Sequence, residues 1–304
     1  MVTLLATVLI HIARAALLVF GVTVLVFILV RAIPGDAVDV LAIEGGLTDS
    51  QAEAMRAGLG LTASWLDQFT AWCLGALRGE LGESLRFHVP VADLLLQAIP
   101  VTLALGAASL ATGFVLAVAI ALIATLRPRS IVASLVDILN IWSIAIPTFC
   151  AGLVAILVFS LWLGWLPVLG NFLVPVVILG LDAAGQIVKP LHEEMKELGT
   201  AVYIRTARAK GLHPLKIVVG HILPAAAPVL LAMTGLVAAS FIGGALTMEV
   251  LFGLPGVGSL AFNAVNGRDY PLIQAVVLFL AVAVILINAL TDLAQRLVDP
   301  RPES

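Results

Sequence analysis

Charged residues are scarce in this sequence of 304 residues. Asp, Glu, Lys and Arg make up 12% of it, about half the fraction that is usual in soluble domains. Hydrophobic residues make up 61%, and the mean hydropathy is +1.13. Because so few charges cannot cover a water-exposed surface, the composition predicts an all-α integral membrane protein in contact with the lipid bilayer.

Other absences exclude further classes of protein. The formal net charge is −3 and no basic stripe stands out, so no nucleic-acid partner is expected. The two cysteines, Cys73 and Cys150, match no metal-binding spacing, and the histidines contain no pair three or four residues apart, so no metal site is expected. No Gly-Lys-Ser or Gly-Lys-Thr occurs. The chain therefore lacks a P-loop, and any ATP hydrolysis must come from another polypeptide.

Uncharged runs predict six transmembrane helices, since a bilayer core takes about 20 apolar residues of helix. The predicted spans lie within residues 1–33, 94–126, 138–181 (two spans), 224–247 and 271–291. The second span is expected to follow Pro100, and the forty-four-residue run is expected to break between Gly164 and Asn171. A cleaved signal peptide is the competing interpretation of the first run, but no small-residue cleavage site follows it.

Lysine and arginine predict the orientation, because positive residues near span ends stay on the cytoplasmic side. With both termini inside, eleven of the sixteen basic residues are cytoplasmic: Arg14, Arg127, Arg129, Lys189, Lys196, Arg205, Arg208, Lys210, Lys216, Arg296 and Arg301. Most of the other five lie in an acidic first loop. The sequence thus predicts an N-in, C-in chain.

The spans divide the chain into segments: an N-terminal segment with span 1 (1–33), an extracytoplasmic loop (34–99), a core of spans 2 to 6 (100–296) and a tail (297–304). The loop is acidic and contains a predicted short amphipathic helix at 50–59.

The cytoplasmic segment 192–222 lies between spans 4 and 5. Acidic residues at 193–197 precede basic residues at 205–210, the order that suits a helix dipole. Gly211, followed by Pro214, is a helix stop. A short helix is therefore expected on this face, exposed to a partner.

A motif in that segment spans residues 203–212, Tyr-Ile-Arg-Thr-Ala-Arg-Ala-Lys-Gly-Leu, and His221 and Leu223-Pro224 follow it. It resembles the cytoplasmic signature loop of ABC importer permeases, in particular the dipeptide, oligopeptide and nickel permease family. Further motifs recur in the order of that family: Pro34-Gly35-Asp36, Leu59-Gly60-Leu61, Leu81-Gly82 with Ser84, Pro90-Val91, Pro100 with Thr102-Leu103, Ile146-Pro147-Thr148-Phe149, Gly164-Trp165-Leu166-Pro167, Leu254-Pro255-Gly256-Val257-Gly258, Arg268-Asp269-Tyr270-Pro271 with Gln274, and Asp299-Pro300.

The resemblance covers essentially the whole chain and implies a type I ABC importer permease fold in a bacterial inner membrane. Such a subunit works with a second homologous permease, two ATPase subunits and an extracytoplasmic substrate-binding protein. It is not an enzyme and binds no cofactor itself, since ATP and Mg are held by the partner ATPases.

The same resemblance assigns residues 200–210 as a coupling helix that docks on an ATPase subunit. The positions carried over are Tyr203, Arg205, Thr206, Ala207, Arg208, Lys210, Gly211, Leu223 and Pro224. Arg205 and Thr206 replace the Glu and Ala of the broader importer motif, as in the peptide and nickel branch. Two arginines usual at the end of span 4 are replaced by Lys189 and His192.

Ionisable groups within spans carry a functional hypothesis, because a charge facing lipid costs several kcal/mol. Asp182, within span 4, is the candidate for the translocation path, where it would contact a peptide amino group or a cation; a packing role stays open. Asp137, Glu249 and Asp292 are near predicted span ends, so solvated positions are expected for them.

Two glycine-containing segments are expected to be structural. By resemblance, Pro255, Gly256 and Gly258 form part of the outer gate and of the face seen by the binding protein. Gly243 and Gly244 are expected to allow close helix packing.

The predicted function is a permease subunit that forms, with a second permease, the pathway for peptides. Import of nickel or a metal chelate by the same machinery is the alternative. A self-sufficient secondary transporter is the alternative from another class, although it would need ion-coupling residues and a longer, repeat-built chain.

Overall fold

The computed structural model describes residues 2–32, 38–39, 42, 48–58 and 60–298. These residues are almost entirely helical and form no strand, apart from one isolated antiparallel bridge between Glu83 and Pro90. The motifs Pro34-Gly35-Asp36 and Asp299-Pro300, and Leu59 of a third motif, lie outside the described residues.

The helices are numbered in chain order. Their bounds are α1 Val2–Ala32, α2 Asp49–Gly58, α3 Trp65–Leu77, α4 Val91–Leu126, α5 Ile131–Ala145, α6 Thr148–Ala155 with a π-helical continuation Ile156–Trp162, α7 Leu173–Leu198, α8 Val202–Ala209, α9 Pro214–Ile217 with a π-helical continuation Val218–Ile222, α10 Leu223–Phe252, α11 Val257–Asn266 and α12 Tyr270–Val298.

Five described segments are long and apolar enough to cross a bilayer, and a bent pair makes a sixth. The five are Ala13–Ala32, Val91–Leu126, Leu173–Leu198, Pro214–Phe252 and Tyr270–Val298. The bent pair, Ile131–Ala145 with Thr148–Trp162, passes the same test as one unit. The prediction of six spans is confirmed when the bent pair is counted as one span.

The third span contains a break that the sequence analysis missed. Helix α5 and the helix that follows it meet at an angle of 98°. Ile146 has extended dihedrals, φ −114° and ψ 109°, directly before Pro147. A proline disfavours helical geometry in the residue before it, so α5 ends there. The break expected between Gly164 and Asn171 is also present, because no helix covers residues 163–172.

Helix α4 begins earlier than predicted. It starts at Val91, whose N–H donates to Gly82 O at 3.0 Å, and it continues through Pro100. Pro100 lacks one intrahelical N–H donor but does not end the helix. The helix that contains the predicted span therefore begins before Pro100 and does not start after it.

The predicted helix at 50–59 is present as α2, and a second helix, α3, follows it. Ser64 caps α3 by accepting a hydrogen bond from Asp67 N at 3.2 Å. Arg31 at the end of α1 hydrogen-bonds Gln68 of α3 and lies 4.0 Å from the centre of the Phe27 ring.

The chain divides into two compact units. Unit 1 contains Met1–Pro100 and Pro255–Ile285, and unit 2 contains Val101–Leu254 and Leu286–Ser304. Each has its own hydrophobic core. That of unit 1 includes Val91, Leu272 and Val276, whereas that of unit 2 is arranged around α7, which packs against α5, α6 and α10.

Glycines allow close packing around α7, but not the pair that was predicted. A Cβ on Gly113 of α4 would collide with Ala183 and lie 2.8 Å from Gly180 O, and a Cβ on Gly185 would collide with the carbonyl of Leu139. A Cβ on Gly243 would meet nothing within 4 Å among the described residues, so Gly243 does not pack closely within this part of the chain. Gly244 makes only ordinary contact, at 3.5 Å from Leu179.

Candidate functional site

Helix α8, Val202–Ala209, lies within the predicted coupling helix at 200–210 and is amphipathic. Ile204 is fully buried and Ala207 nearly so, and both belong to the core of unit 2. Val202 is 76% exposed on the opposite side of the helix, and Tyr203 is 47% exposed on its flank. The core therefore fixes one face of α8 and leaves an apolar and aromatic surface free.

The end of α8 is set by Gly211, as predicted. Gly211 has a φ of +77° and donates its N–H to Arg208 O at 2.9 Å, while Leu212 N donates to Ala207 O at 3.3 Å. These two bonds form a Schellman motif, whose left-handed position favours glycine. Pro214 then begins α9, and Leu215 N donates to His213 Nδ1 at 3.3 Å.

The predicted dipole arrangement is wrong. The acidic residues at 193–197 lie in the last turns of α7, and the first turn of α8 contains no acid. A helix dipole favours acids at the N-terminal end, so these acids do not stabilise α7 by that effect. The boundary was misplaced because α7 continues to Leu198 beyond the uncharged run.

The motif residues Leu223 and Pro224 begin α10. The preceding residues, Val218–Ile222, are π-helical. Pro224 has no N–H to offer the carbonyl of Gly220, which makes a regular α-helical ladder impossible at this point. Leu223 is half-buried and Pro224 is exposed.

The two arginines of α8 have different surroundings. Both are exposed, but Arg208 lines a cavity of about 790 Å³ and Arg205 does not. The polar residues of this cavity come from α4, α5, α7 and α8 and the loop before α8, and include Thr125, Asp137, Lys189, His192, Glu193, Lys196, Thr200 and Arg208. Arg205 is thus the more available of the pair for a partner.

Lys189 and His192 make specific contacts in unit 2. Lys189 Nζ donates to Asp137 Oδ1 at 2.7 Å. His192 Nδ1 lies 3.2 Å from Thr125 Oγ1. These contacts connect α7 to α5 and to α4, so both residues are positioned by neighbouring helices.

Asp182 lies at a second cavity, of about 420 Å³, within unit 2. It is 9% exposed, and its Oδ2 accepts a hydrogen bond from Gln186 Nε2 at 2.8 Å. The cavity is also lined by the hydroxyl-bearing residues Ser143, Thr148 and Ser240. Asp182 was predicted from the sequence but the other four residues were not, although Gln186 lies one helical turn away.

The turn at residues 252–258 contains a left-handed glycine, Gly253, that is not among the predicted gate residues. Gly253 ends α10 with a φ of +62°, in the left-handed region. Gly256 precedes α11 with a φ of −99°, which any residue adopts. Pro255 is exposed and Gly258 is buried. The gate role of Pro255, Gly256 and Gly258 stays a prediction.

Glu249 does not have the solvated position that was expected. It is 0% exposed, and Thr102 Oγ1 donates to its Oε1 at 2.6 Å. That contact connects the end of α10 to the part of α4 that lies in unit 2. Asp137 and Asp292, in contrast, are exposed as predicted.

In unit 1, Asp269 is a buried acid to which the sequence analysis gave no role. Its Oδ2 accepts a hydrogen bond from Ser84 Oγ at 2.5 Å, and both residues are 0% exposed. Its Oδ1 accepts from Leu272 N at 3.4 Å. Asp269 therefore fixes the turn before α12 against the loop that contains Ser84.

The sequence matches the family described as "Binding-protein-dependent transport system inner membrane component" over residues 95–304. Relatives align along almost the whole chain. A putative peptide permease protein of Brucella suis is 34% identical over 301 residues, 93% of this chain and 94% of that one. A probable peptide ABC transporter permease protein of Sinorhizobium fredii is 31% identical over 92% and 93% of the two chains.

A third relative, the di/tripeptide transport system permease protein of Pseudomonas aeruginosa, is 31% identical over 93% and 94% of the two chains. An inward-facing structure of the MetNI methionine ABC transporter covers 68% of this chain and 96% of its own, with a TM-score of 0.56 and 24% identity. A second crystal form gives a TM-score of 0.55 and 23% identity. These two likenesses show the fold, which is that of a type I importer permease.

The family match and the relatives confirm the predicted resemblance to ABC importer permeases, and they do not support a self-sufficient secondary transporter. Transport in this family depends on partner proteins, and the ATPase is a separate subunit. The chain therefore belongs to the family of binding-protein-dependent transport system inner membrane components, as a multi-pass permease subunit of an ABC importer.

Proposed function

We propose that this chain and a second, homologous permease form the pathway of an ATP-driven importer for peptides. An extracytoplasmic binding protein delivers the peptide, and two ATPase subunits, which hold ATP and Mg, drive the cycle. The support for peptides is that the relatives aligned over more than nine-tenths of the chain are named as peptide permeases. Import of nickel or a metal chelate instead of peptides would show that the substrate assignment is wrong.

Helix α8 is the observation that carries the proposed mechanism. It is a separate short helix between two spans, with exposed Val202 next to Arg205 on its free face and exposed Tyr203 on its flank. A partner surface with an apolar groove and acidic groups fits this face. With both termini in the cytoplasm, α8 is on the side where ATP is available.

The packing of α8 explains how movement of an ATPase would reach the pathway. Its buried residue Ile204 shares one core with Met195 of α7 and Ile222 before α10. A force applied to α8 is therefore transmitted to two spans as a rigid-body displacement, because close-packed interiors do not deform continuously. ATP binding and hydrolysis would thereby shift the equilibrium between outward-facing and inward-facing states.

The proposed outer gate follows the C-terminal end of α10, away from α8. Pro255, Gly256 and Gly258 would form it, with Gly253 providing the sharp end of α10. Glu249 supports this turn, because its backbone carbonyl accepts a hydrogen bond from Leu254 N at 2.8 Å.

Co-purification tests the assignment. The tagged chain is expressed with its partner subunits, and unaltered protein is compared with the double variant Arg205→Glu, Arg208→Glu. The expected result is that ATPase and second permease co-purify with unaltered protein, and that the double variant retains the permease but loses the ATPase. Charge reversal places acids against an acidic partner surface, and like charges in contact are repulsive.

The matched control is Arg127→Glu with Arg129→Glu, an exposed basic pair between α4 and α5 that is outside α8. This control is expected to retain both partners. Equal loss of the ATPase in both double variants would contradict docking through α8. Unaltered protein that purifies without any ATPase would contradict the partner-driven mechanism.

A further inference from the structure

Two rows of polar residues lie on neighbouring helices of unit 2. Helix α5 carries Asp137, Asn140 and Ser143, three residues apart, and α7 carries Asp182, Gln186 and Lys189, four and three residues apart. These spacings place each row on one face of its helix. Polar side chains are rare within membrane spans and mark substrate or ion pathways more often than lipid-facing surfaces.

The two rows run antiparallel and face each other. At one end Lys189 hydrogen-bonds Asp137 at 2.7 Å. In the middle Asn140 Nδ2 donates to the carbonyl of Gly185 at 3.4 Å. At the other end Ser143 and Asp182 line the 420 Å³ cavity. The two rows therefore lie against each other with a cavity at either end, since Asp137 and Lys189 also line the larger cavity.

The smaller cavity has one formal charge. Asp182 is its only acidic lining residue, and none of its described lining residues is Lys, Arg or His. Within the described part of the chain, Gln186 is the only residue that hydrogen-bonds Asp182, through Oδ2. The carboxylate thus keeps acceptor capacity toward the cavity, and Ser143 and Ser240, whose hydroxyls donate to carbonyls of their own helices, keep oxygen lone pairs as acceptors there.

We propose that this cavity binds the protonated amino group of the peptide cargo during translocation, with Asp182 as its counter-ion. This inference rests on the proposed function. An ammonium group has three donors, which match a carboxylate and neighbouring hydroxyl oxygens. The α-amino group of a peptide is largely protonated at neutral pH. A charge that crosses the membrane needs such a partner, because its desolvation is costly.

The break at Pro147 explains how the cavity forms. Pro147 and Thr148 both line it, and the chain turns through 98° between α5 and α6. The bend therefore lies at the cavity in front of Asp182, and Ser240 of α10 borders the same space.

Uptake into proteoliposomes tests the proposal with the assembled importer and its binding protein. The probes are trialanine with a free amino terminus and N-acetyl-trialanine. The measured quantity is the ratio of their ATP-driven uptake rates per assembled complex. Selection by the binding protein is the same for every permease variant, so it cancels when a variant's ratio is divided by that of unaltered protein.

Asp182→Asn is expected to lower the free-to-acetylated ratio about tenfold, the effect of losing one charged hydrogen-bond partner. Asp182→Glu keeps the charge and is expected to restore much of the ratio. Asp292→Asn is the matched control, because it removes an exposed carboxylate of α12 that does not line the cavity. Its ratio is expected to equal that of unaltered protein.

Ser240→Val keeps the test decisive if Asp182→Asn fails to assemble, since Ser240 is exposed and its replacement does not disturb a packed core. We expect about a threefold fall in the ratio, the effect of one neutral hydrogen bond. An unchanged ratio in Asp182→Asn overturns the cavity proposal. If only Ser240→Val assembles, an unchanged ratio in that variant overturns it instead. Neither result affects the proposal that the complex imports peptides. If unaltered complex imports neither peptide, the proposed function fails and this proposal with it.

Discussion

The two sides of α7 differ in how they are used. On the side that faces α4, Gly180 and Ala183 allow a close approach: a Cβ on Gly180 would lie 2.9 Å from Thr112, and a Cβ on Gly113 of α4 would collide with Ala183. On the other side Asp182, Gln186 and Lys189 face cavities and polar partners. One helix thus has a closed face that holds unit 2 together and an open face with the chemistry to contact cargo.

The two buried carboxylates of unit 2 repeat this contrast. Glu249 is fully enclosed and accepts a hydrogen bond from Thr102. Asp182 is at the edge of a cavity and retains acceptor capacity toward it. A buried acid that is enclosed in packing fixes helices, whereas one beside a cavity is available to a ligand. Local sequence alone does not distinguish these cases.

Replacing each of the two acids by alanine is expected to give the largest difference in stability between the enclosed acid and the acid beside the cavity. Glu249→Ala removes the acceptor of Thr102 and leaves a space in a packed region. We expect it to lower the free energy of unfolding by about 2–4 kcal/mol. Asp182→Ala borders existing space, so a loss below about 1 kcal/mol is expected. Thermal unfolding of the detergent-solubilised complex measures both, and equal shifts would show that Asp182 is also a packing residue.

A pair of glycine substitutions tests the difference between a tightly packed helix position and an open one, with a smaller expected effect on stability. Gly185→Ala places a Cβ against the carbonyl of Leu139, and we expect a loss of about 1–3 kcal/mol. Gly243→Ala meets nothing within 4 Å and replaces glycine inside α10, so an unchanged or slightly higher stability is expected. The same unfolding measurement separates them. Tolerance of Gly185→Ala would contradict the close approach of α5 to α7.

The sequence was sufficient where the determining signal was local. Uncharged runs marked the spans, and Gly211 marked the end of α8 because only a few residues around it decide the backbone geometry. The motif at 203–212 likewise gave the family, since its residues are consecutive. In each case the informative residues lie within a few turns of one another.

The sequence was insufficient where partners are distant. Burial of Glu249 depends on Thr102, which is 147 residues away, so its position near a span end predicted solvation wrongly. Close packing at Gly185 rather than Gly243 depends on which helix lies opposite. The break at Pro147 was hidden within an uncharged run, although its local signal was present. Conversely, Pro100 was given too much weight, because α4 passes through it.

Cross-linking from the two faces of α8 tests the central claim, that this helix docks on the ATPase, most directly. Cys73 and Cys150 are first replaced by serine, and single cysteines are then introduced as Val202→Cys and Ala207→Cys. Val202 is 76% exposed and Ala207 is 6% exposed. Each assembled complex is treated with a short thiol-to-amine cross-linker. The account predicts cross-linking of the ATPase subunit to the cysteine at position 202 and little to that at position 207; absence of an ATPase product at position 202 would contradict it.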